Sequence, residues 1–223
     1  MPVLAAKSHE GRISAGDSLL EAAAAHDTGR VKARLAHFAA AHRALSKAQQ
    51  ALDAAESTLS ARRERVAERD VDQDDCIDRV ASALIGDGLP RVNPFKALSA
   101  SSPTTLKSLG YAAEAKALAA LTARARKRKD LSTRTLATLT AAEKAAKAVT
   151  AALAAVEPAK RKSDGARTRR DALVQPWETS FASLKRGARA AEDEGSVGLF
   201  AALFESTAAP KKPAKKKPAT PVG

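Results

Sequence analysis

The chain has 223 residues, of which 44% are hydrophobic but only 3% aromatic, and its formal net charge is +13 at pH 7. The apolar residues are mainly alanine and leucine, which favour helix, and valine and isoleucine never alternate over a usable stretch, so a β-sheet fold is excluded. The one cysteine, Cys76, excludes an internal disulfide, and no stretch approaches the length of a membrane span. With no apolar leader at its start, we expect a cytoplasmic protein.

The first element in chain order is short. We expect residues 1–13 to be disordered and a short helix to follow, with Ser14 or Asp17 as its N-cap and Gly29 ending or kinking it.

The strongest periodic signal in the chain comes next and predicts a long helix over about residues 30–70. A large apolar residue recurs every seven positions, and alanine follows three positions after most of the middle members: the series are Val31, Phe38, Leu45, Leu52, Leu59 and Val66, and Ala41, Ala48, Ala55 and Arg62. A single helix with one apolar stripe is only marginally stable in water, so this pattern requires a partner helix.

The rest of the chain alternates between breakers and helical patterns. Five glycines and prolines from Gly86 to Pro103 mark a linker at about 86–102, and Ser102 before Pro103 is a good helix start. We expect helices at about 103–129, 132–157, 159–194 and 196–205, with a kink at Pro158, a break near Gly165 and Ser196 capping the last helix. The register of the 132–157 helix continues through a polar stretch, Lys160, Ser163, Arg167 and Arg170, to Val174, Trp177, Phe181, Leu184 and Ala188.

These elements predict an all-α fold, specifically an elongated antiparallel coiled-coil-like helical bundle over residues 14–205, with a disordered Lys/Pro/Ala-rich tail at 206–223. Segments 31–70 and 132–157 are the expected antiparallel pair, and 75–129 is expected to cap one end. A plain up-and-down bundle of four or five helices is the alternative.

Catalytic and metal chemistry finds little support in the sequence. The acidic run Glu68, Asp70, Asp72, Asp74, Asp75 and Asp78 lacks the glycine and closing glutamate of a calcium loop and is expected to be a solvated face or a partner for basic helices. His37 and His42 lie about 140° apart around a helix, so they do not form one site. Cys76 lies among acids, which would raise its pKa, and it is expected to be a small packed residue or an incidental surface thiol instead of a catalyst. With no phosphate loop, nucleophile elbow or Glu-x-x-His pair, we expect no enzyme, no cofactor and no metal.

Two basic clusters are the candidate binding residues. The C-terminal tail, "APKKPAKKKPATPVG", contains Lys211, Lys212, Lys215, Lys216 and Lys217 and no acid, and "RARKRK" contains Arg124, Arg126, Lys127, Arg128 and Lys129. In composition the tail resembles the Lys/Pro/Ala tails of linker histones, of some bacterial nucleoid-associated proteins and of mycobacterial heparin-binding adhesins. That resemblance implies polyanion binding, whereas a solubilising end is the alternative for the tail and a solvated helix end for the second cluster.

We therefore expect a non-enzymatic helical scaffold or self-association protein, as a homo-oligomer, that binds nucleic acid or another polyanion through its tail and associates with the nucleoid. The alternative function is an amphipathic coat or surface-associated protein, similar to polyester-granule phasins or polysaccharide-binding adhesins, in which the apolar stripes face lipid or polymer.

Overall fold

A computed structural model describes residues 8–205, and within that range the chain is helical, with no strand, so the prediction of an all-α helical bundle is confirmed. Residues 1–7 and the predicted tail 206–223 lie outside the described part. The α-helices are α1 His9–Ala24, α2 Lys32–Gly86, α3 Pro103–Lys107, α4 Tyr111–Ala125, α5 Thr133–Ala154, α6 Val156–Ala172, α7 Val174–Asp193 and α8 Leu199–Phe204, with 3₁₀ turns at Gly29–Val31 and Lys96–Leu98.

Serine side chains begin three of these helices. Ser8, Ser102 and Ser132 each accept a hydrogen bond from a backbone N–H in the first turn of α1, α3 and α5, which satisfies a donor that has no partner inside the helix. The start at Ser102 and Pro103 agrees with the prediction. The expectation that residues 1–13 are disordered is wrong from His9 onward, because Ser8 rather than Ser14 or Asp17 is the N-cap.

Helix α2 is longer than predicted. It runs for 55 residues to Gly86, whereas the sequence indicated an end near residue 70. The seven-residue series continues beyond Val66 to Gln73 and Val80, both fully buried, so the core continues to support the helix through the acidic run. The helix ends where Gly88 adopts a φ of +90°, a conformation that favours glycine, and Leu89 N donates to Leu84 O.

The remaining boundaries differ from the predictions in three places. The helix expected over 103–129 is two helices, α3 and α4, and the one expected over 159–194 is interrupted at Leu173. The break before α6 falls at Ala155, whereas the sequence predicted a kink at Pro158. Pro158 lies in the first turn of α6, where a backbone N–H has no partner inside the helix, so its missing N–H costs little. Gly165 lies inside α6 without breaking it, and α8 follows Gly198 in place of Ser196.

The chain forms two compact units, and α2 contributes to both. The first consists of residues up to 50 together with those from 167, and its core is built on α1, α2, α7 and α8. Most of its large core side chains are fully or almost fully buried: Leu19, Val31, Phe38, Leu45, Trp177, Phe181, Leu184, Leu203 and Phe204.

The partner of the apolar stripe on α2 in this unit is not segment 132–157, as expected, but α7 with the end of α6. Phe38 packs on Phe181, His42 is bonded to Trp177, and Gln49 is bonded to Arg170. The α2 residue number rises along this series while the partner's number falls. The aromatic residues explain the preference, because Trp177 and Phe181 bury more area than the alanines and valines of 132–157.

The second unit spans residues 51–166 and contains the rest of α2, α3, α4 and α5. Its main core joins α2 residues Ile77, Val80 and Leu84 to α4 and α5. Phe95 and Leu98, at the 3₁₀ turn in the connection predicted as a linker, close this core. On α6 the buried positions are Ala159, Ser163 and Ala166, so Lys160 and Arg167, expected in the seam, are exposed.

Candidate functional site

The predicted binding residues of the tail, Lys211, Lys212, Lys215, Lys216 and Lys217, lie outside the described residues. The second predicted cluster lies at the end of α4 and in the connection to α5, and its geometry can be described.

Two arginines of this second cluster are held by the protein itself. Arg124 donates to the backbone oxygens of Ser99, at 2.7 Å, and Ala120, at 3.1 Å. Arg126 forms a forked contact with Glu143 of α5, with N···O distances of 2.6 and 3.2 Å, and this contact raises the pKa of the guanidinium. Both side chains therefore brace α4 against its neighbours.

The remaining cations of the cluster differ from one another. Arg128 pairs with Asp130, and this contact lowers the pKa of the Asp130 carboxyl. Lys127 and Lys129 are exposed and make no ion pair within residues 8–205. Two of the five side chains are thus available to a phosphate without breaking a contact of the fold.

The outward-facing acids of the predicted acidic run make local ion pairs. Asp78 accepts from Lys107 of α3 at 2.9 Å, and Asp72 accepts from Arg69 at 2.7 Å. Cys76 lies in the core, and burial raises the pKa of its thiol, as expected for a packed residue. A partnership between this run and the basic cluster at 124–129 is not seen among these pairs.

Other members of the same run face inward and meet an acid from α4. Gln73 is fully buried and Glu114 is 1% exposed, and Gln73 Nε2 donates to Glu114 Oε1 at 2.8 Å. Asp74 and Asp70 lie close enough to the Glu114 carboxyl for both acids to act on it electrostatically. We call Asp70, Gln73, Asp74 and Glu114 the buried acid cluster.

Electrostatics in the buried acid cluster favour the neutral form of Glu114. Burial is the largest cause that raises the pKa of Glu114 to about 7, and the neighbouring acids Asp74 and Asp70 add to this rise. The hydrogen bond from Gln73 acts in the opposite direction and lowers this pKa. Burial and the Asp74 charge also raise the pKa of Asp70. Within residues 8–205 no three His, Cys, Asp or Glu side chains are placed to hold a metal ion.

Sequence reasoning missed this cluster, although a signal was present. Gln73 lies seven residues after Val66, and Glu114 precedes Leu118 and Leu121 at helical spacing, so both occupy core positions of their helices. A polar residue at such a position has to find a buried partner.

A second buried polar contact was missed at His42, for which the sequence indicated only that it does not form one site with His37. His42 is 4% exposed, stacks on Phe38, and has Nε2 at 2.8 Å from Asp17 Oδ1. Trp177 Nε1 donates to His42 Nδ1 at 3.3 Å, so the hydrogen of the neutral imidazole is assigned to Nε2, which donates to Asp17. This network joins α1, α2 and α7, so its role is to hold these three helices together.

No protein-family model matches the sequence, and neither a curated protein nor a solved structure matches it. In the described range no helix is both long enough and apolar enough to cross a membrane.

Proposed function

We propose that this protein is a non-enzymatic helical scaffold that binds polyanions, DNA foremost, without sequence preference through the lysines of its C-terminal tail. The observation that carries the proposal is the placement of unbalanced charge. Residues 206–223 hold five lysines and no acid, out of a net charge of +13 for the whole chain. In the helical part, by contrast, the cations are interspersed with the chain's acids, and several of them, such as Lys107, Arg126 and Arg128, are held in ion pairs.

The chemistry of the tail fits phosphate binding. Its four prolines disfavour helix and favour extended backbone, which lets successive lysines follow a line of phosphates. Phosphate contacts of this kind give affinity without reading bases, so the expected partner is any accessible duplex or a similar polyanion. Lys127 and Lys129 are the cations of the second cluster that extend this surface.

The scaffold part of the proposal rests on the two helical cores. In the first unit α2 meets α6 and α7 in opposite numerical order, which supports antiparallel, coiled-coil-like packing. We further propose that the chain self-associates as a homo-oligomer and acts in the cytoplasm at the nucleoid, where several tails on one assembly would raise the effective affinity for DNA.

The test compares the full chain with a version ending at residue 205, using fluorescence anisotropy with a short DNA duplex over a range of salt concentrations. Five phosphate contacts predict a slope of log affinity against log salt of about −4.5 for the full chain. The shortened chain should lose most of this slope. Size-exclusion chromatography with light scattering, with and without nuclease and high salt, reports the oligomeric state separately from bound nucleic acid.

Two controls separate charge from sequence. A scrambled tail with the same composition should keep the affinity and the slope, because the proposed contacts are electrostatic. The pair Lys144→Ala and Lys147→Ala removes exposed charge from α5 and should change the slope far less than removing the tail. Unchanged DNA affinity after removal of residues 206–223 would refute the tail as the binding element.

The amphipathic coat remains the second candidate, and one feature favours it. An alanine-lined groove of about 690 Å³ lies between α4 and α5, with Lys116 and Lys147 at its edges. The main stripe of α2 supports the scaffold instead, since Phe38, Leu45 and Leu52 are at most 1% exposed. A coat protein would gain helix on lipid vesicles or polymer granules, whereas the scaffold should show the same helicity with and without them.

A further inference from the structure

The buried acid cluster has too many hydrogen-bond acceptors for its donors. Asp70 Oδ1, Gln73 Oε1 and Asp74 Oδ1 are buried and have no hydrogen-bond partner. The one donating group, the Gln73 amide, is used by Glu114 Oε1. Buried acceptors without donors are costly, so a cluster of this composition needs a hydrogen that ionised side chains do not supply.

The contact between Glu114 and Asp74 shows where that hydrogen belongs. Two ionised carboxylates only accept hydrogen bonds, so these two groups attract one another only when one of them is protonated. Glu114 is the more buried of the two, since it is 1% exposed whereas Asp74 is partly exposed. Burial therefore favours Glu114 as the group that holds a shared hydrogen and donates it to Asp74.

We propose that Glu114, protonated and bonded to Gln73 and Asp74, is a latch that holds α4 against α2, and that loss of its proton loosens this contact. The proposal goes beyond polyanion binding and does not depend on it. It assigns to the second unit a conformational response to pH in the neutral range, located at α4 and distant in sequence from the tail.

The charged groups around the latch do not compensate an ionised Glu114. From α2 the facing groups are Asp70 and Asp74, both acids. From α3, Lys107 is held by Asp78, and Asp74 and Asp75 also act on it. The α5 side chains that share this core do not titrate: Leu139, Ala142, Ala146 and Val149. The pKa of Glu114, raised mainly by burial to about 7, places the change near neutral pH.

Hydrogen exchange with mass spectrometry on the full chain tests the latch directly. Protection of the α4 amides, corrected for intrinsic exchange, is measured at about pH 6 and about pH 8.5. A group with a pKa of about 7 when closed and 4.5 when open predicts about a ten-fold loss of protection across this range. In Glu114→Gln, which cannot ionise, the loss should disappear.

Matched variants identify the groups involved. Glu157→Gln on α6 removes an exposed acid that makes no contact with α4 and should keep the ten-fold loss. Asp74→Asn removes the neighbouring charge, so it should reduce the loss, and this result remains informative if Glu114→Gln folds poorly.

Equal protection at both pH values in the native chain, or an unchanged pH response in Glu114→Gln, would overturn the proposal. Restoration of the low-pH protection at about pH 8.5 by added Ca²⁺ or Mg²⁺ would also overturn it, because the cluster would then hold a cation in place of the proton.

Discussion

Gly16 in α1 offers a sharp test of the His42 network, because replacing it with alanine has two opposing effects. Alanine is a better helix former than glycine by about 1 kcal/mol, so at an ordinary helical position the substitution stabilises. At Gly16, however, a Cβ would lie 2.2 Å from His42 Nδ1 and 2.4 Å from its Cε1, which is far inside van der Waals contact.

The clash should outweigh the gain in helix propensity because His42 has little freedom to move. Its ring is bonded to Asp17 on one side and Trp177 on the other, and the residue is only 4% exposed. Overpacking of a well-packed site costs about 1–3 kcal/mol, and losing a hydrogen bond costs about 1 kcal/mol more. We therefore expect Gly16→Ala to lower the free energy of unfolding by about 1–3 kcal/mol.

Urea unfolding followed by the fluorescence of Trp177, the one tryptophan in the chain, measures this change beside the affected contact. Gly165→Ala is the matched control. It also lies inside a helix, but its Cβ would meet no atom within 4 Å, so this variant should gain about 0.5–1 kcal/mol.

A double-mutant comparison isolates the cause. In a His42→Ala background the ring is gone, so Gly16→Ala should become neutral or stabilising. If Gly16→Ala stabilises the native protein, or destabilises equally with and without the His42 ring, the close approach of α1 to His42 is refuted.

Two further predictions concern the second unit. The folded-state pKa of Glu114 is raised from 4.5 to about 7, so the folded state binds more protons than the unfolded state between these pH values. The free energy of unfolding should therefore fall as pH rises through this window, by at most about 3 kcal/mol. Urea unfolding at several pH values measures this decline, which Glu114→Gln should remove. Ser132→Ala removes the hydroxyl that accepts from Thr135 N at 3.2 Å and should cost about 1 kcal/mol, measured as a lower thermal midpoint. Ser132→Asn, which can cap the helix without adding a charge beside Asp87, should retain most of the stability. An unchanged midpoint in Ser132→Ala would show that the bond from Ser132 N to Asp87 is sufficient to begin α5.

The features that the sequence predicts well are those set by apolar spacing and by strong local signals. Phe38, Leu45, Leu52 and Val66 are buried as their seven-residue spacing requires, and the linker near 86–102 follows from its glycines and prolines. These properties depend on residue type and spacing along a single helix, so they can be deduced without knowing the partner.

Helix boundaries and partners were predicted less well, because they depend on contacts between distant parts of the chain. The acids of 68–78 indicated the end of a helix, yet α2 continues because Gln73, Ile77 and Val80 face a core supplied by α4 and α5. Likewise the partner of Phe38 could not be inferred from the alanine and valine pattern at 132–157, since the preference for Trp177 and Phe181 becomes visible only when their packing is known.

The two buried polar contacts explain how an alanine-rich core keeps a unique register. Away from the aromatic contacts of Phe38, leucine and alanine repeats differ little from one heptad to the next, so there a slip of seven residues would lose little apolar contact. Such a slip would separate His42 from Trp177 in the first unit and Gln73 from Glu114 in the second, leaving buried polar groups without partners. Each unit thus has one fully buried polar contact between α2 and another helix that penalises the wrong alignment, and in the second unit that contact is the one proposed to respond to pH.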